Sequence, residues 1–138
     1  MTRQFVDTNV LVYAHDRSVG RKRTVAQQLL RDLWQSGEGC LSIQVLQEYY
    51  VTVTRKVATP LLPEQAKDII SHLARWRMHS PTVSDILEAI NIQTRYEVSF
   101  WDAMIIQSAI RLKCERIWSE DLNAGQQYAG VTVANPFN

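Results

Sequence analysis

The chain has 138 residues, of which 46% are hydrophobic and 21% charged, and its formal net charge is +1. These values, with a mean hydropathy of -0.20, predict one globular domain over residues 1–138 with room for a core. No apolar run approaches the roughly 20 residues that a membrane-spanning helix needs, and no signal peptide precedes the first candidate strand, so we expect a cytoplasmic protein without a membrane partner. The balanced charge does not exclude nucleic acid, because a local basic patch can exist within a neutral total.

The order of the chain predicts strands separated by helices. Apolar residues that recur at helical spacing mark the helices, and short apolar runs bounded by turn residues mark the strands. Pro63 suits a first helical position, whereas residues 51–54 are locally β-like within a helical segment. This alternation implies βα units and an α/β fold with a mostly parallel sheet of four to five strands. In chain order we predict a strand at 3–6, helices at 9–15 and 23–34, a strand at 40–43, helices at 45–53 and 63–75, a strand at 81–83, helices at 84–96 and 99–112, and strands at 116–119 and 131–133.

Four acidic residues occupy or follow the predicted junctions between strands and helices. Asp7 follows the first strand, Glu48 lies on the helix after the second, Asp102 opens the clearest helix, and Asp121 follows the fourth strand. Each has a local explanation: Asp7 could cap a helix, Asp102 could complete a capping box, Asp121 could be a turn residue and Glu48 a solvated helix carboxylate. Taken singly, these explanations are the better ones.

The four residues together favour a metal site. The apolar stripe of its helix ends at Asp102, which therefore lies away from the wet face. Carboxylates that face one another repel, and burial raises the cost, so such a cluster persists when a cation neutralises it. A set of oxygen ligands without Cys or His suits Mg²⁺ or Mn²⁺. The chemistry that follows is metal-assisted hydrolysis of a phosphodiester.

The acidic residues lie in segments that carry a resemblance to a known family. The segments are FVDTNVLVYA at 5–14, QEYY at 47–50, SFWDAMI at 99–105, SEDL at 119–122 and VANPF at 133–137. Together they resemble the PIN-domain ribonucleases, and within them the VapC-type toxins of bacterial toxin–antitoxin pairs, over nearly the whole chain. The Asp-Thr-Asn opening combined with the Trp-Asp-Ala helix start is fairly specific, and the full set is strong.

The resemblance implies a three-layer α/β/α sandwich around a parallel sheet. It also implies Mg²⁺- or Mn²⁺-dependent endoribonuclease activity on RNA, homodimers, and inhibition by a cognate antitoxin that covers the active-site groove. The residues that it assigns to catalysis and metal binding are Asp7, Glu48, Asp102 and Asp121. The residues that it assigns to supporting hydrogen bonds are Thr8, Asn9 and Ser119.

One assignment stays open at the end of the fourth strand. Glu120 is adjacent to Asp121 and could reach the metal in its place. The alternation of side chains along a strand allows only one of the two to point inward. The sequence therefore predicts one acidic ligand here without choosing between them.

Other segments have structural interpretations as their defaults. Basic clusters such as residues 21–23 and 55–56 are expected on solvated helix faces, although one or two could line an RNA path. The apolar residues of the segment 45–50 are expected in the core, with a surface for a partner helix as the alternative. Cys40 and Cys114 border apolar segments and are expected to be buried, reduced thiols.

Other functional classes on an α/β scaffold fit less well. A non-catalytic RNA- or protein-binding module would have no reason to keep the acidic set. A response-regulator-like phosphoacceptor needs a lysine on a late strand, and neither late strand provides one. A haloacid-dehalogenase-like phosphatase needs an aspartate two residues after the first, where this chain has Asn9. The sequence does not indicate which RNA is cut, the number of metals or the identity of the antitoxin.

Overall fold

The computed structural model describes residues 2–138, which form a central sheet flanked by helices. A short 3-10 helix, Arg17–Val19, precedes the second α-helix. The strands are β1 (Gln4–Val6), β2 (Gly39–Ser42), β3 (Arg77–His79), β4 (Arg116–Trp118), β5 (Gln127–Tyr128) and β6 (Val131–Ala134). The helices are α1 (Thr8–Tyr13), α2 (Arg21–Ser36), α3 (Ile43–Arg55), α4 (Pro63–Leu73), α5 (Val83–Tyr96) and α6 (Phe100–Arg111).

The sheet has the strand order β3-β2-β1-β4-β6-β5, and only the β5–β6 pair is antiparallel. The predicted α/β/α fold with a mostly parallel sheet is confirmed, with one strand more than the four to five expected. β1 pairs with β2 on one side and with β4 on the other. The strand order therefore reverses between β1 and β4, and such a switch point opens a crevice at the carboxyl ends of the strands.

The core forms around the central strands. Phe5 and Val6 of β1, Leu41 of β2 and Ile117 of β4 are all fully buried. These strands are buried on both faces, and their sequences are therefore short apolar runs. Such runs are typical of parallel strands between two layers of helices. Helix α6 packs against β2, β4 and β6, and α5 packs on α6. Cys40 and Cys114 are buried and free, as predicted.

The predicted strand at 81–83 is wrong. Thr82 caps α5, and its backbone N–H and hydroxyl donate to Asp85 Oδ2 at 2.9 and 3.2 Å. This capping box outweighs the β propensity of Val83, which becomes the first residue of the helix. The third strand instead lies at Arg77–His79, an edge strand with little buried surface and so little apolar signal.

The helix predicted at 45–53 is confirmed. Its β-like residues 51–54 are helical, because α3 buries Val53 against the core and tertiary packing outweighs propensity. The two-residue strand β5 was not predicted, because it is too short to show alternation. No helix among residues 2–138 has the length and apolar character needed to cross a membrane.

Candidate active site

The four acidic residues of the prediction meet at the carboxyl edge of the sheet. Asp7 directly follows β1, Asp121 lies beyond the end of β4, Glu48 is on α3 after β2, and Asp102 is in the first turn of α6. Hydrogen bonds connect them, because Thr8 contacts Asp7 and Glu48, Asn9 contacts Asp7 and Asp121, and Gln44 joins Glu48 to the start of α6. We call these four carboxylates the acidic cluster.

Asp7 is the most buried member of the acidic cluster, with 6% of its surface exposed. It caps α1 by accepting a hydrogen bond from the Thr8 backbone N–H at 2.7 Å, and its Oδ2 accepts one from the Ser119 hydroxyl at 2.8 Å. Burial raises its pKa to about 6 despite these two bonds, and the charges of Asp121 and Glu48 add to the effect. The helix-cap explanation is thus correct but leaves the burial of a repelled carboxylate unexplained.

Asn9 connects the ends of β1 and β4. Its Nδ2 donates to Asp121 Oδ2 at 3.1 Å and to Asp7 Oδ2 at 3.4 Å, while its Oδ1 accepts from the Glu120 backbone N–H at 3.1 Å. The Ser119 hydroxyl, fully buried, accepts from the Asp121 backbone N–H at 3.1 Å. Asn9 and Ser119 therefore both form hydrogen bonds to Asp7 and to the segment after β4, and their supporting role stays a prediction.

Glu48 is oriented through both of its carboxylate oxygens. The Thr8 hydroxyl donates to Oε1 at 2.6 Å, and Gln44 Nε2 donates to Oε2 at 3.2 Å. Gln44 also donates to the backbone carbonyl of Trp101, at 3.2 Å, and so connects α3 to the start of α6. The sequence reasoning missed Gln44, although its position one helical turn before Glu48 was a signal that could have identified it.

Asp102 is half-buried at the start of α6. Ser99 caps the helix by accepting a hydrogen bond from the Asp102 backbone N–H at 3.1 Å. Burial raises the pKa of the Asp102 carboxyl, the Ser99 side chain opposes this, and the charges of Asp121 and Glu48 add to it. Ser99 therefore caps the helix, although Asp102 does not complete the capping box that was expected, and the Asp102 carboxylate lies within reach of the charges of Asp121 and Glu48.

Glu120 and Asp121 point in different directions. Glu120 accepts a hydrogen bond from the Tyr13 hydroxyl through Oε1 and lies 2.6 Å from Lys22 Nζ through Oε2. Burial works against its ionisation, but the bonds from Lys22 and Tyr13 hold the pKa of its carboxyl below the usual range. The geometry thus favours Asp121 as the carboxylate that this loop contributes, with Glu120 in a supporting position.

The acidic cluster fits a hard divalent cation by its donor chemistry. Across residues 2–138, none of its four carboxylates forms an ion pair with Lys, Arg or His. Its ligands would all be oxygens, which Mg²⁺ and Mn²⁺ prefer. No three His, Cys, Asp or Glu side chains in the same range are already arranged as a ligand set. Mutual repulsion explains this spread, because uncompensated carboxylates do not converge on one point.

A groove beside the acidic cluster provides room for a substrate. It has a volume of about 680 Å³ and runs along α1 and α3. The groove is lined by Thr8, Glu48 and Asp121 and also by Val51 of α3 and Lys56, the residue that follows α3. The groove is open to solvent, which an extended polymer requires.

The apolar segment 45–50 belongs mostly to the core, as its default interpretation predicted. Val45 and Tyr49 are fully buried and Leu46 nearly so. Tyr50 is exposed, and it lines an apolar depression. The remaining residues of that depression are Ile43, Leu46, Gln47, Val51 and Ile70.

A second buried carboxylate, Asp85, lies outside the acidic cluster. Its buried hydrogen bonds could not be predicted from the sequence. Asp85 accepts hydrogen bonds from Gln107 Nε2 at 3.0 Å and from Thr82, and it lies 3.1 Å from His79 Nε2. Nδ1 of His79 contacts the Ser108 hydroxyl at 2.7 Å. This order resembles a nucleophile–base–acid chain, but Ser108 is fully buried and no substrate can reach it.

Comparisons with known proteins agree with this architecture. No curated protein matches the sequence. A toxin–antitoxin complex from Klebsiella pneumoniae has a TM-score of 0.71 at 17% identity, covering 96% of this chain and 97% of that one. Mycobacterium tuberculosis VapC20, a sarcin–ricin loop cleaving toxin, has a TM-score of 0.63 at 18% identity, covering 86% and 89%.

A third structure and a family model complete the comparison. DNA-bound VapBC from Salmonella typhimurium has a TM-score of 0.66 at 16% identity and covers 99% of both chains. At these identities the three structures establish a shared fold. The PIN domain model matches residues 5–128, which include every member of the acidic cluster. Because this match spans most of the sequence, the chain belongs to the PIN domain family.

Proposed function

We propose that this protein is a metal-dependent endoribonuclease that hydrolyses phosphodiester bonds in RNA, and that it is the toxin of a toxin–antitoxin pair. The observation that carries the proposal is the acidic cluster, whose carboxylates have no cationic partner within residues 2–138. It lies at the switch point of a PIN domain, where α/β proteins bind ligands.

In this proposal Asp7, Glu48, Asp102 and Asp121 would hold Mg²⁺ or Mn²⁺. The chemistry that such an ion supplies when bound is activation of a water nucleophile and stabilisation of the leaving oxygen. The chain itself orients the ligands. Those that donate hydrogen bonds to the cluster are Thr8, Asn9, Gln44 and Ser119.

RNA as the substrate is supported by the groove and by one structural relative. The groove is open, and among its lining residues is Lys56, a cation that can meet a phosphate of bound RNA. The relative VapC20 is described as cleaving the sarcin–ricin loop, which is RNA. We therefore expect cleavage to weaken as salt concentration rises, because phosphate contacts release counterions.

The test is RNA cleavage in the presence of Mg²⁺ or Mn²⁺ by the wild type, Asp7→Asn and Asp102→Asn. We expect the wild type to cleave, a chelator to abolish cleavage, and both variants to be inactive. Asp68→Asn, at an exposed carboxylate on α4, is the matched control and should cleave normally.

Undiminished cleavage by both cluster variants would reject the mechanism. RNA binding without cleavage under any metal condition would instead favour the alternative of a non-catalytic binding module on the same fold.

An antitoxin partner is supported by the structural relatives and by the surface next to the groove. The relatives from Klebsiella and Salmonella were determined as toxin–antitoxin or VapBC assemblies. Tyr50 and Val51, both exposed, extend an apolar surface from the acidic groove along α3. Co-expression with a small protein encoded beside the gene should yield a complex that lacks nuclease activity, and Tyr50→Glu should weaken that complex.

A homodimer is supported by an exposed apolar stripe on α5. The stripe occupies one face at helical spacing, and a two-fold pairing of two such faces would bury it. Light scattering on the wild type should give twice the chain mass, and Leu87→Glu should give the monomer mass. The residues of the stripe are Val83, Ile86, Leu87 and Ile90.

A further inference from the structure

The loop after β4 carries two adjacent carboxylates that have different environments. Asp121 is exposed at the acidic cluster and accepts a hydrogen bond from Asn9 at 3.1 Å. Glu120 uses both of its oxygens elsewhere, accepting from the Tyr13 hydroxyl and pairing with Lys22 at 2.6 Å. The partners of Glu120 therefore determine which of the two carboxylates is available to the cluster.

Lys22 occupies a position where a helix does not favour a cation. It lies in the first turn of α2, where the helix dipole repels positive charge. Its Nζ is 5.0 Å from the centroid of the Tyr13 ring and 5.7 Å from that of Phe137. These two rings pack edge to face at 5.2 Å. The Tyr13–Phe137 ring pair and Glu120 thus attract the Lys22 ammonium, which the helix dipole repels.

This arrangement is stronger than an isolated surface ion pair. A lone exposed pair contributes little, since water screens it and two flexible side chains lose entropy. Here the Tyr13 hydroxyl holds the second carboxylate oxygen, and the Glu120 backbone N–H donates to Asn9 Oδ1 at 3.1 Å. The carboxylate is therefore held through both of its oxygens, and the backbone of the same residue is held by Asn9.

A free Glu120 would disturb the cluster. Asn9, which binds the Glu120 backbone, also donates to Asp7 and Asp121. A released carboxylate at this position would add a fifth negative charge beside four that already repel. It would also compete with Asp121 for the same cation, because both are hard oxygen ligands.

We propose that Lys22, together with Tyr13, is a positioning residue that holds Glu120 away from the acidic cluster and so selects Asp121 as the carboxylate contributed by this loop. The proposal rests on the proposed metal site. It also gives the closing segment of the chain a role, because Phe137 supports the Lys22 side chain.

The first test requires no metal. Thermal unfolding of metal-free Lys22→Met, Glu120→Gln and the double variant should be non-additive, with the double variant no less stable than Lys22→Met. Lys22→Arg, which keeps the charge, should unfold close to the wild type. Additive losses would show that the two side chains act independently and would overturn the proposal.

The second test asks which carboxylate binds the cation, by titrating the purified full chain with Mn²⁺. In the wild-type background, we expect Asp121→Asn to lower Mn²⁺ affinity by at least the roughly 10–100-fold that the loss of a group supporting a metal ligand typically costs. In the Lys22→Met background the same change should cost less, because the released Glu120 can replace Asp121. Adding Glu120→Gln should restore the full loss.

The outcomes separate this proposal from the proposed function. An equal loss in both backgrounds would overturn the role of Lys22 and leave the metal site intact. Mn²⁺ binding that is absent from the wild type, or unchanged in Asp7→Asn, would overturn the metal site and the selection of Asp121 with it. Reduced RNA affinity with unchanged Mn²⁺ affinity in all Lys22 variants would make Lys22 a phosphate contact, contrary to the proposal.

Discussion

Asp7 and Asp85 are both aspartates at the N-terminus of a helix, and both are almost fully buried, at 6% and 1% exposure. The pKa of Asp7 is raised to about 6, chiefly by burial. Burial acts on Asp85 too, but hydrogen bonds from Gln107 and Thr82, with the charge of His79, bring its pKa down to about 2. The difference therefore lies in the neighbours of each carboxylate and not in the depth of burial.

The contrast distinguishes a carboxylate with balancing partners from one without them. Asp85 is surrounded by hydrogen-bond donors, with the Arg111 guanidinium at 3.9 Å, and it connects β3, α5 and α6. Asp7 is surrounded by other carboxylates, and its hydrogen bonds orient its charge without neutralising it. Without a cation, the buried charge of Asp7 lowers the stability of the folded protein. Such a loss is expected where activity requires a strained site.

Removing Asp85 should cause the largest loss of stability. Asp85→Ala leaves His79, Gln107 and the Thr82 backbone N–H without their buried hydrogen-bond partner, and each unsatisfied buried group costs about 1–3 kcal/mol. The free energy of unfolding in urea measures this loss. Asp68→Ala, at an exposed carboxylate, should change it by less than about 0.5 kcal/mol. A small loss of stability in Asp85→Ala would contradict the claim that Asp85 stabilises the fold through its buried partners.

The two aspartates should give stability opposite pH dependences in the metal-free protein. The pKa of Asp7 is raised on folding, so its proton is bound more tightly in the folded state and stability falls as pH rises from 3.8 to about 6. At about 1.4 kcal/mol per pH unit, the loss is about 3 kcal/mol. Asp85 has a lowered pKa, so its contribution is present above pH 3.8 and is lost as pH falls towards 2.

Unfolding free energies of the wild type and Asp7→Asn between pH 4 and 7 isolate the first effect. We expect the variant to gain on the wild type as pH rises through this range. A constant difference would mean that the pKa of Asp7 is not raised on folding.

Removing a supporting hydroxyl should lower activity, with a smaller loss of stability than Asp85→Ala, because the buried Ser119 hydroxyl also accepts from the backbone N–H groups of Asp121 and Leu122. Ser119→Ala deletes the bond to Asp7 Oδ2, and the loss of such a supporting group near a metal typically costs about 10–100-fold in affinity or activity. The rate of RNA cleavage measures it. Ser36→Ala, at the exposed end of α2, is the control, and equal rates for both variants would contradict the supporting role.

The sequence predicted most of the fold and the residues of the cluster for identifiable reasons. Asp7, Asp102 and Asp121 adjoin elements with a strong periodic signal, and a parallel sheet brings its carboxyl ends together. The strand at 77–79 was missed because an edge strand buries too little to show a pattern. Glu48 was placed correctly although the β-like run that follows it obscured the helix.

Contacts that depend on distant parts of the chain could not be predicted. Lys22 and Glu120 are 98 positions apart, and the single-sequence pattern gave no reason to pair them. The choice between Glu120 and Asp121 needed that contact, since alternation alone allowed either. The same holds for Asp85, whose partner Gln107 lies on another helix and has no distinctive sequence signal.

The most direct test of the proposed metal site is the thermal stability of the wild type and Asp7→Asn, measured at pH 7.5 with and without Mn²⁺. Without metal, we expect Asp7→Asn to be the more stable protein, because it removes a buried, repelled charge. At saturating Mn²⁺ the order should reverse, because the ion binds and stabilises only the wild type. The same stability order at both conditions, with no Mn²⁺ effect on the wild type, would contradict the claim that the acidic cluster is a metal site.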